Sequence, residues 1–148
     1  MGILNLFKKP EIPIETTPEP KAKILVADDE QFLRESYQEL LTQEGYQVIT
    51  ASNGQEALDL VSQNRPNLIL LDIQMPVLDG NEFLRKLRDN EQTKNIPVIV
   101  LTNAGNLNNM DTAKLYSAYK FLIKCNITPA DVINTVSEAL KATAYKSA

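Results

Sequence analysis

The side chains of this 148-residue chain that could do chemistry together are far apart in sequence, yet each follows a short apolar run. Asp28 and Asp29 follow Ile24-Leu25-Val26-Ala27, and Asp72 follows Leu68-Ile69-Leu70-Leu71. Thr102 follows Val98-Ile99-Val100-Leu101, and Lys124 follows Phe121-Leu122-Ile123. Three carboxylates gathered at one point repel one another and have raised pKa values unless a hard cation neutralises them. A divalent metal held by oxygen ligands, magnesium, manganese or calcium, answers that need. A lysine and a hydroxyl beside such a cation make a receptor for a phosphoryl group, and a carboxylate within reach can accept it as an acyl phosphate. Asp72 is the leading acceptor, because burying an acid at the end of so apolar a run without a use for it is costly.

Composition removes several other chemistries. The chain has no histidine, which excludes imidazole acid–base catalysis, Ser-His-Asp and Cys-His triads and imidazole metal sites. A net charge of -4 argues against binding nucleic acid through a basic surface. The single cysteine, Cys125, cannot form an internal disulfide, which suits a reducing cytoplasm. No apolar run approaches the roughly 20 residues of a membrane-spanning helix. The start, Met1-Gly2-Ile3-Leu4-Asn5-Leu6-Phe7-Lys8-Lys9, has its apolar and basic parts in the wrong order for a signal peptide.

The elements that must position these residues are readable from periodicity. Residues 1–21 hold half of the eight prolines, with Glu11, Glu15 and Glu19 among them, and read as an extended, flexible tail. The cluster Ile3-Leu4-Leu6-Phe7 ahead of those prolines offers a docking peptide or a weak membrane-surface contact, or is simply part of a disordered end. From Lys23 strands and helices alternate. Ile24–Ala27 is the first strand, and Phe32, Leu33, Tyr37, Leu40 and Leu41 recur at helical spacing until Gly45 stops the helix. Tyr46–Thr50 is the second strand, and Asn53 with Glu56 opens a helix with Ala57, Leu58 and Val61 inward. Leu68–Asp72 is the third strand, followed by a loop carrying Pro76 and Asp79-Gly80 and a helix from about Asn81 with Phe83, Leu84 and Leu87. Pro97–Thr102 is the fourth strand, and a weaker helix runs around Met110 to Tyr116. Phe121–Lys124 is the fifth strand. Thr128-Pro129 starts the last helix, striped by Val132, Ile133, Val136 and Leu140.

Five strands alternating with five helices predict an α/β fold, a doubly wound parallel sheet of order 2-1-3-4-5 covered on both faces. One folded domain over residues 22–144 is expected, with residues 145–148 trailing. In that order the ends of strands 1, 3, 4 and 5 face one crevice, so Asp28, Asp29, Asp72, Thr102 and Lys124 converge. Each has a plain reading taken singly: Asp-Asp-Glu caps a helix, Asp79-Gly80 is a turn, and a lysine at a strand end is solvated. Five matches on four strand ends are what make the site.

With those residues in place, the chain resembles the receiver domain of bacterial two-component response regulators, over roughly Lys23 to Ala142. The matching pieces are Ile24-Leu25-Val26-Ala27-Asp28-Asp29-Glu30, Leu70-Leu71-Asp72-Ile73-Gln74-Met75-Pro76-Val77-Leu78-Asp79-Gly80, Val100-Leu101-Thr102 and Phe121-Leu122-Ile123-Lys124. The resemblance implies a flavodoxin-like, free-standing phosphoryl-accepting switch rather than an enzyme with a substrate of its own. Asp72 would take its phosphoryl group from a sensor histidine kinase or a phosphotransfer protein. Asp28, Asp29, Asp72 and the backbone carbonyl of Gln74 would surround magnesium. Lys124 would pair with the phosphoryl oxygens and Thr102 would hydrogen-bond them. Phe121 would move inward and reshape the face of the fourth helix, fifth strand and fifth helix for a downstream effector or a second copy of the chain. No nucleic-acid partner is implied.

Three positions depart from that family's pattern. Cys125 stands where a cis proline is usual, so the loop there is either strained or trans and reshaped. Asn103 replaces a smaller residue after Thr102, and Phe121 has no hydroxyl. Two other functions are open to the fold. One is a binding module that works without phosphorylation, against which the complete acidic set counts. The other is an aspartate-nucleophile phosphohydrolase, which needs a second acid two residues after the nucleophile, where Gln74 stands. A flavin protein of this topology would need a phosphate cradle where Asp28-Asp29-Glu30 repels one.

Overall fold

Nearly unbroken aliphatic runs can be satisfied only in strands covered on both faces. The computed structural model, which describes residues 21–103 and 118–146, has them there. Strands β1 (Lys23–Ala27), β2 (Gln47–Ala51), β3 (Leu68–Asp72), β4 (Val98–Thr102) and β5 (Lys120–Ile123) form one sheet of order β2-β1-β3-β4-β5, and every pairing is parallel. Every residue of β3 and β4 is buried, whereas the edge strands β2 and β5 keep partly exposed positions. The described helices are α1 (Gln31–Gln43), α2 (Gly54–Asn64), α3 (Gly80–Asp89) and α4 (Pro129–Lys146). The expected helix around Met110 to Tyr116 and the Ile3–Phe7 cluster lie outside the described residues.

Period-two alternation divides the core. Leu25, Ala27, Ile69, Leu71, Val98 and Val100 face α2 and α3, packing with Val61, Phe83, Leu84 and Leu87. Ile24, Val26, Leu68, Leu70, Ile99 and Leu101 face α1 and α4, packing with Tyr37, Leu41, Val132 and Val136.

The helix ends follow their sequence signals. Gly45, at φ +95°, lets its own N–H reach the Thr42 carbonyl and the Tyr46 N–H reach Leu41, a Schellman stop. Asn53 accepts the Glu56 N–H at 2.8 Å, and Asp79 accepts the Glu82 N–H at 2.9 Å. Thr128 and Asp131 exchange side-chain and backbone bonds of 2.9 and 3.1 Å, a reciprocal cap with aspartate in the usual glutamate position.

Some expectations shift. β2 and β5 each sit one residue from the expected span, so Lys124 lies just past its strand. Phe32 is 79% exposed rather than core, because the inward stripe of α1 runs through Tyr37 and Leu41. In α4 Thr135 and Ala139 are fully covered while Ile133 and Leu140 are half-buried, since the close approach to the sheet selects small side chains. The Lys124–Cys125 bond is trans, as is every peptide bond among the described residues.

Candidate functional site

Register brings the acids together. Ala27 is the partner of Leu71, so Asp28 and Asp72 lie side by side one step further along adjacent strands. Their parity is that of Ile24 and Leu68, which turns both carboxylates toward the α1–α4 side of the sheet. Lys124, one residue past the end of β5, has the parity of Leu122 and turns the same way. Thr102 pairs with Ile123, and its carbonyl accepts the Lys124 N–H at 2.8 Å. That bond fixes the backbone from which the lysine reaches inward.

The Lys124 ammonium stands 3.0 Å from Asp28 Oδ2, 3.1 Å from Asp72 Oδ2 and 3.6 Å from Glu30 Oε1. Its side chain is only 6% exposed. Asp28 is fully buried: its Oδ1 accepts the Glu30 N–H at 2.9 Å, and its carbonyl accepts Arg34 Nη1 at 2.8 Å. Asp72 Oδ1 accepts the Gln74 N–H at 3.1 Å. Carboxylate oxygens of Asp28, Asp29 and Asp72 all lie within 4.8 Å of one another, with Asp29 exposed at the mouth.

Burial is the main force on these groups. It pushes the Asp72 carboxyl up to about 6, with Lys124 opposing and Asp28 adding to the rise. Burial pushes Lys124 down, but the Asp28 and Asp72 carboxylates outweigh it and hold the ammonium above its ordinary value. The ion pairs therefore favour a charged lysine, while Asp72 is held short of its full acidity.

These donors fit a hard divalent cation. The set is all oxygen, and Asp28 Oδ2 is buried with no aligned hydrogen bond, facing the Lys124 ammonium at 3.0 Å. Gln74 joins Asp29, Met75, Pro76, Asp79 and Asn81 around a cleft of about 450 Å³ that opens beside the acids.

The loop after Asp72 is tightly held. The Gly80 N–H donates to the Ile73 carbonyl at 2.8 Å, and a Cβ on Gly80 would lie 2.6 Å from Ile73 Cα and 2.8 Å from the Asp72 carbonyl oxygen. Only glycine allows α3 to begin so close to the acid. Between them the Leu78 N–H bonds Pro76 O at 2.8 Å around Val77, whose φ is +69°. A β-branched residue in the left-handed region is strained by about 1–3 kcal/mol, and Val77 leaves its side chain in solvent.

Sequence reasoning located Asp28, Asp29, Asp72 and Lys124, and the fold gathers all four. Thr102 is buried at the end of β4, where its hydroxyl donates to the Asn103 carbonyl at 3.2 Å. Phe121 is half-buried against the α2–α3 side of the core, partnering Val100. Three contributors were missed. In sequence Glu30 is only part of an acidic run, and its approach to Lys124 depends on the placement of β5. Arg34 stands one helical turn after Glu30 and so faces back toward the strand end. Tyr37 shares with Lys124, Leu33, Leu40, Ile127 and Val132 a cleft of about 400 Å³ between α1 and α4.

Comparison with known proteins agrees with this geometry. Residues 24–137 match the family described as response regulator receiver domain. The chain is 37% identical over 119 residues to sporulation initiation phosphotransferase F of Bacillus subtilis, covering 80% of this chain and 90% of that one. It is 40% identical over 104 residues to a probable transcriptional regulator, ycf27, of Porphyra purpurea, covering 70% of this chain but only 42% of that protein. Among solved structures, a response regulator receiver domain protein from Clostridium thermocellum superposes with a TM-score of 0.77 at 32% identity, covering 84% of this chain and 98% of the other. Chemotaxis protein CheY4 of Vibrio cholerae gives 0.74 at 31% identity, covering 80% and 98%. Buried Asp28 and Asp72, exposed Asp29 and the Lys124 ammonium are the acidic pocket of a phosphoryl-accepting signalling switch, and the chain belongs to the response regulator receiver domain family.

Proposed function

We propose that Asp72 is the phosphoacceptor of a cytoplasmic switch, charged by a phosphohistidine on a sensor histidine kinase or phosphotransfer protein. The observation that carries the reading is the Lys124 ammonium 3.1 Å from Asp72 Oδ2 in a buried site, a charge placed where phosphoryl oxygens would arrive. A carboxylate oxygen of Asp72 attacks phosphorus, and the phosphorus–nitrogen bond to the donor imidazole breaks with its electron pair leaving on nitrogen. Lys124 then exchanges its carboxylate partner for phosphoryl oxygens. The Thr102 hydroxyl turns from the Asn103 carbonyl to donate to them, and Phe121 follows from its half-buried position to alter the surface that a downstream effector reads. Asp28, Asp29, Asp72 and the carbonyl of Gln74 would hold magnesium, or manganese, which supplies charge neutralisation of the phosphoryl oxygens when bound. Receiver domains take their phosphoryl groups from histidine kinases and phosphotransferases, and the likeness to a sporulation phosphotransferase supports a protein donor here.

Intact mass after exposure to acetyl phosphate tests this. One phosphoryl adduct that needs both magnesium and Asp72, and is absent in Asp72→Asn, is the expected result. No adduct, with beryllofluoride also failing to bind, refutes it and favours a module that works without phosphorylation.

A further inference from the structure

Glu30 occupies the N-cap of α1 yet does not cap it: its side chain accepts no backbone N–H there. Serine, threonine, aspartate and asparagine serve that position well because their short side chains reach the first-turn N–H groups. Helix stability therefore does not account for a glutamate. Its carboxylate turns instead to Lys124, 3.6 Å away. The backbone beneath it is fixed, with its N–H donated to Asp28 Oδ1 at 2.9 Å and its carbonyl accepting the Arg34 N–H at 2.9 Å. Of the three carboxylates around the ammonium, those of Asp28 and Asp72 are buried, whereas that of Glu30 is 54% exposed. Glu30 also lies outside the trio whose oxygens converge for a cation. Its negative charge thus stays beside Lys124 when the other acids are neutralised.

We propose that Glu30 is a specificity-determining residue that selects phosphoryl donors by charge, shutting out free phosphodianions and favouring donors delivered on a protein. The inference rests on Asp72 being the phosphoacceptor. A free dianionic donor at Asp72 is repelled by the half-exposed Glu30 carboxylate and competes with it for Lys124. A protein-borne phosphohistidine meets the same repulsion but offsets it with contacts elsewhere on the surface. In a mouth solvated enough for a dielectric near that of water, one unit charge at about 6 Å changes a rate by about threefold. Removing the Glu30 charge then speeds a monoanionic donor about threefold and a dianionic donor about tenfold, and salt erases the difference as the Debye length falls below the separation.

The test compares wild type, Glu30→Gln and Glu30→Asp as full chains with magnesium, following adduct formation by intact mass. The donors are acetyl phosphate, a dianion, and phosphoramidate, a monoanion at neutral pH. At low ionic strength Glu30→Gln should gain about tenfold with acetyl phosphate and about threefold with phosphoramidate, and both gains should shrink in about 1 M salt. Glu30→Asp keeps the charge and should keep the wild-type donor ratio. A structural role would instead move both donors alike, without salt dependence, and would treat the two variants similarly. Labelled wild type with an unchanged donor ratio in Glu30→Gln overturns this inference alone. No adduct on wild type removes the reading of Asp72 and this inference with it.

Discussion

Asp72→Asn should make the metal-free protein more stable at neutral pH, although it removes the proposed phosphoacceptor. Asp72 is 4% exposed, and burial lifts its carboxyl from 3.8 to about 6 in the native state. A rise of about two pH units corresponds to about 3 kcal/mol. The native protein holds the Asp72 proton between those pH values while the unfolded chain has released it. Native stability therefore declines as pH rises from about 4 to about 6 and carries the full deficit above. Asparagine has nearly the same shape and no charge, and its Oδ1 can still accept the Gln74 N–H. Its amide Nδ2 would meet the Lys124 ammonium, donor against donor, where Asp72 Oδ2 now stands at 3.1 Å. That contact reduces the gain to about 1–2 kcal/mol.

Urea unfolding followed by far-ultraviolet circular dichroism, in chelator, measures the difference. The variant should gain at pH 7.5 and lose most of the advantage by about pH 4, because only below the ordinary value of 3.8 is Asp72 protonated in both states. Magnesium should then raise the wild type well above the variant, since a ligand that binds only the native site stabilises by mass action. A variant less stable than wild type at pH 7.5, or a gain that does not change with pH, refutes the electrostatic reasoning.

Lys124→Met keeps the aliphatic stem but strands the buried Asp28 and Asp72 carboxylates, and should destabilise the metal-free protein by about 3 kcal/mol. Titration calorimetry should show tighter magnesium binding in the same variant, because the competing cation is gone. Gly80→Ala tests close approach against helix propensity: propensity alone favours alanine by about 1 kcal/mol. The backbone contacts at 2.6 and 2.8 Å instead predict a loss of about 2 kcal/mol or more and slower labelling of Asp72, read by denaturant melts and mass.

The sheet was legible because its signals are redundant. Each central strand is an aliphatic run of the right length, and the strand-then-helix alternation admits few topologies. Period two even foretells that Asp28, Asp72 and Lys124 share a face once the strand ends are known. What sequence could not supply was the angular setting of the helices. Phe32 fits the α1 stripe by spacing, but only docking shows that the stripe runs through Tyr37 and Leu41 and leaves Phe32 in water. The same limit hid Glu30. Its role depends on which way an N-cap side chain turns, and that is decided by a lysine 94 positions away on the opposite side of β3.

The resting site is consequently a compromise between folding and use. One ammonium, held by pairing against the burial that would discharge it, stabilises two buried carboxylates and leaves Asp72 with a raised pKa. Replacing these groups with apolar side chains of similar size would stabilise the metal-free protein, as it does at many buried ion pairs. The charges are instead arranged so that the deficit is relieved by what the switch binds. Under the proposed function, a cation would neutralise the acids and a phosphoryl group would claim the lysine. Stability forgone at these buried charges would thereby become preference for the liganded form, and that difference is what two-state switching requires.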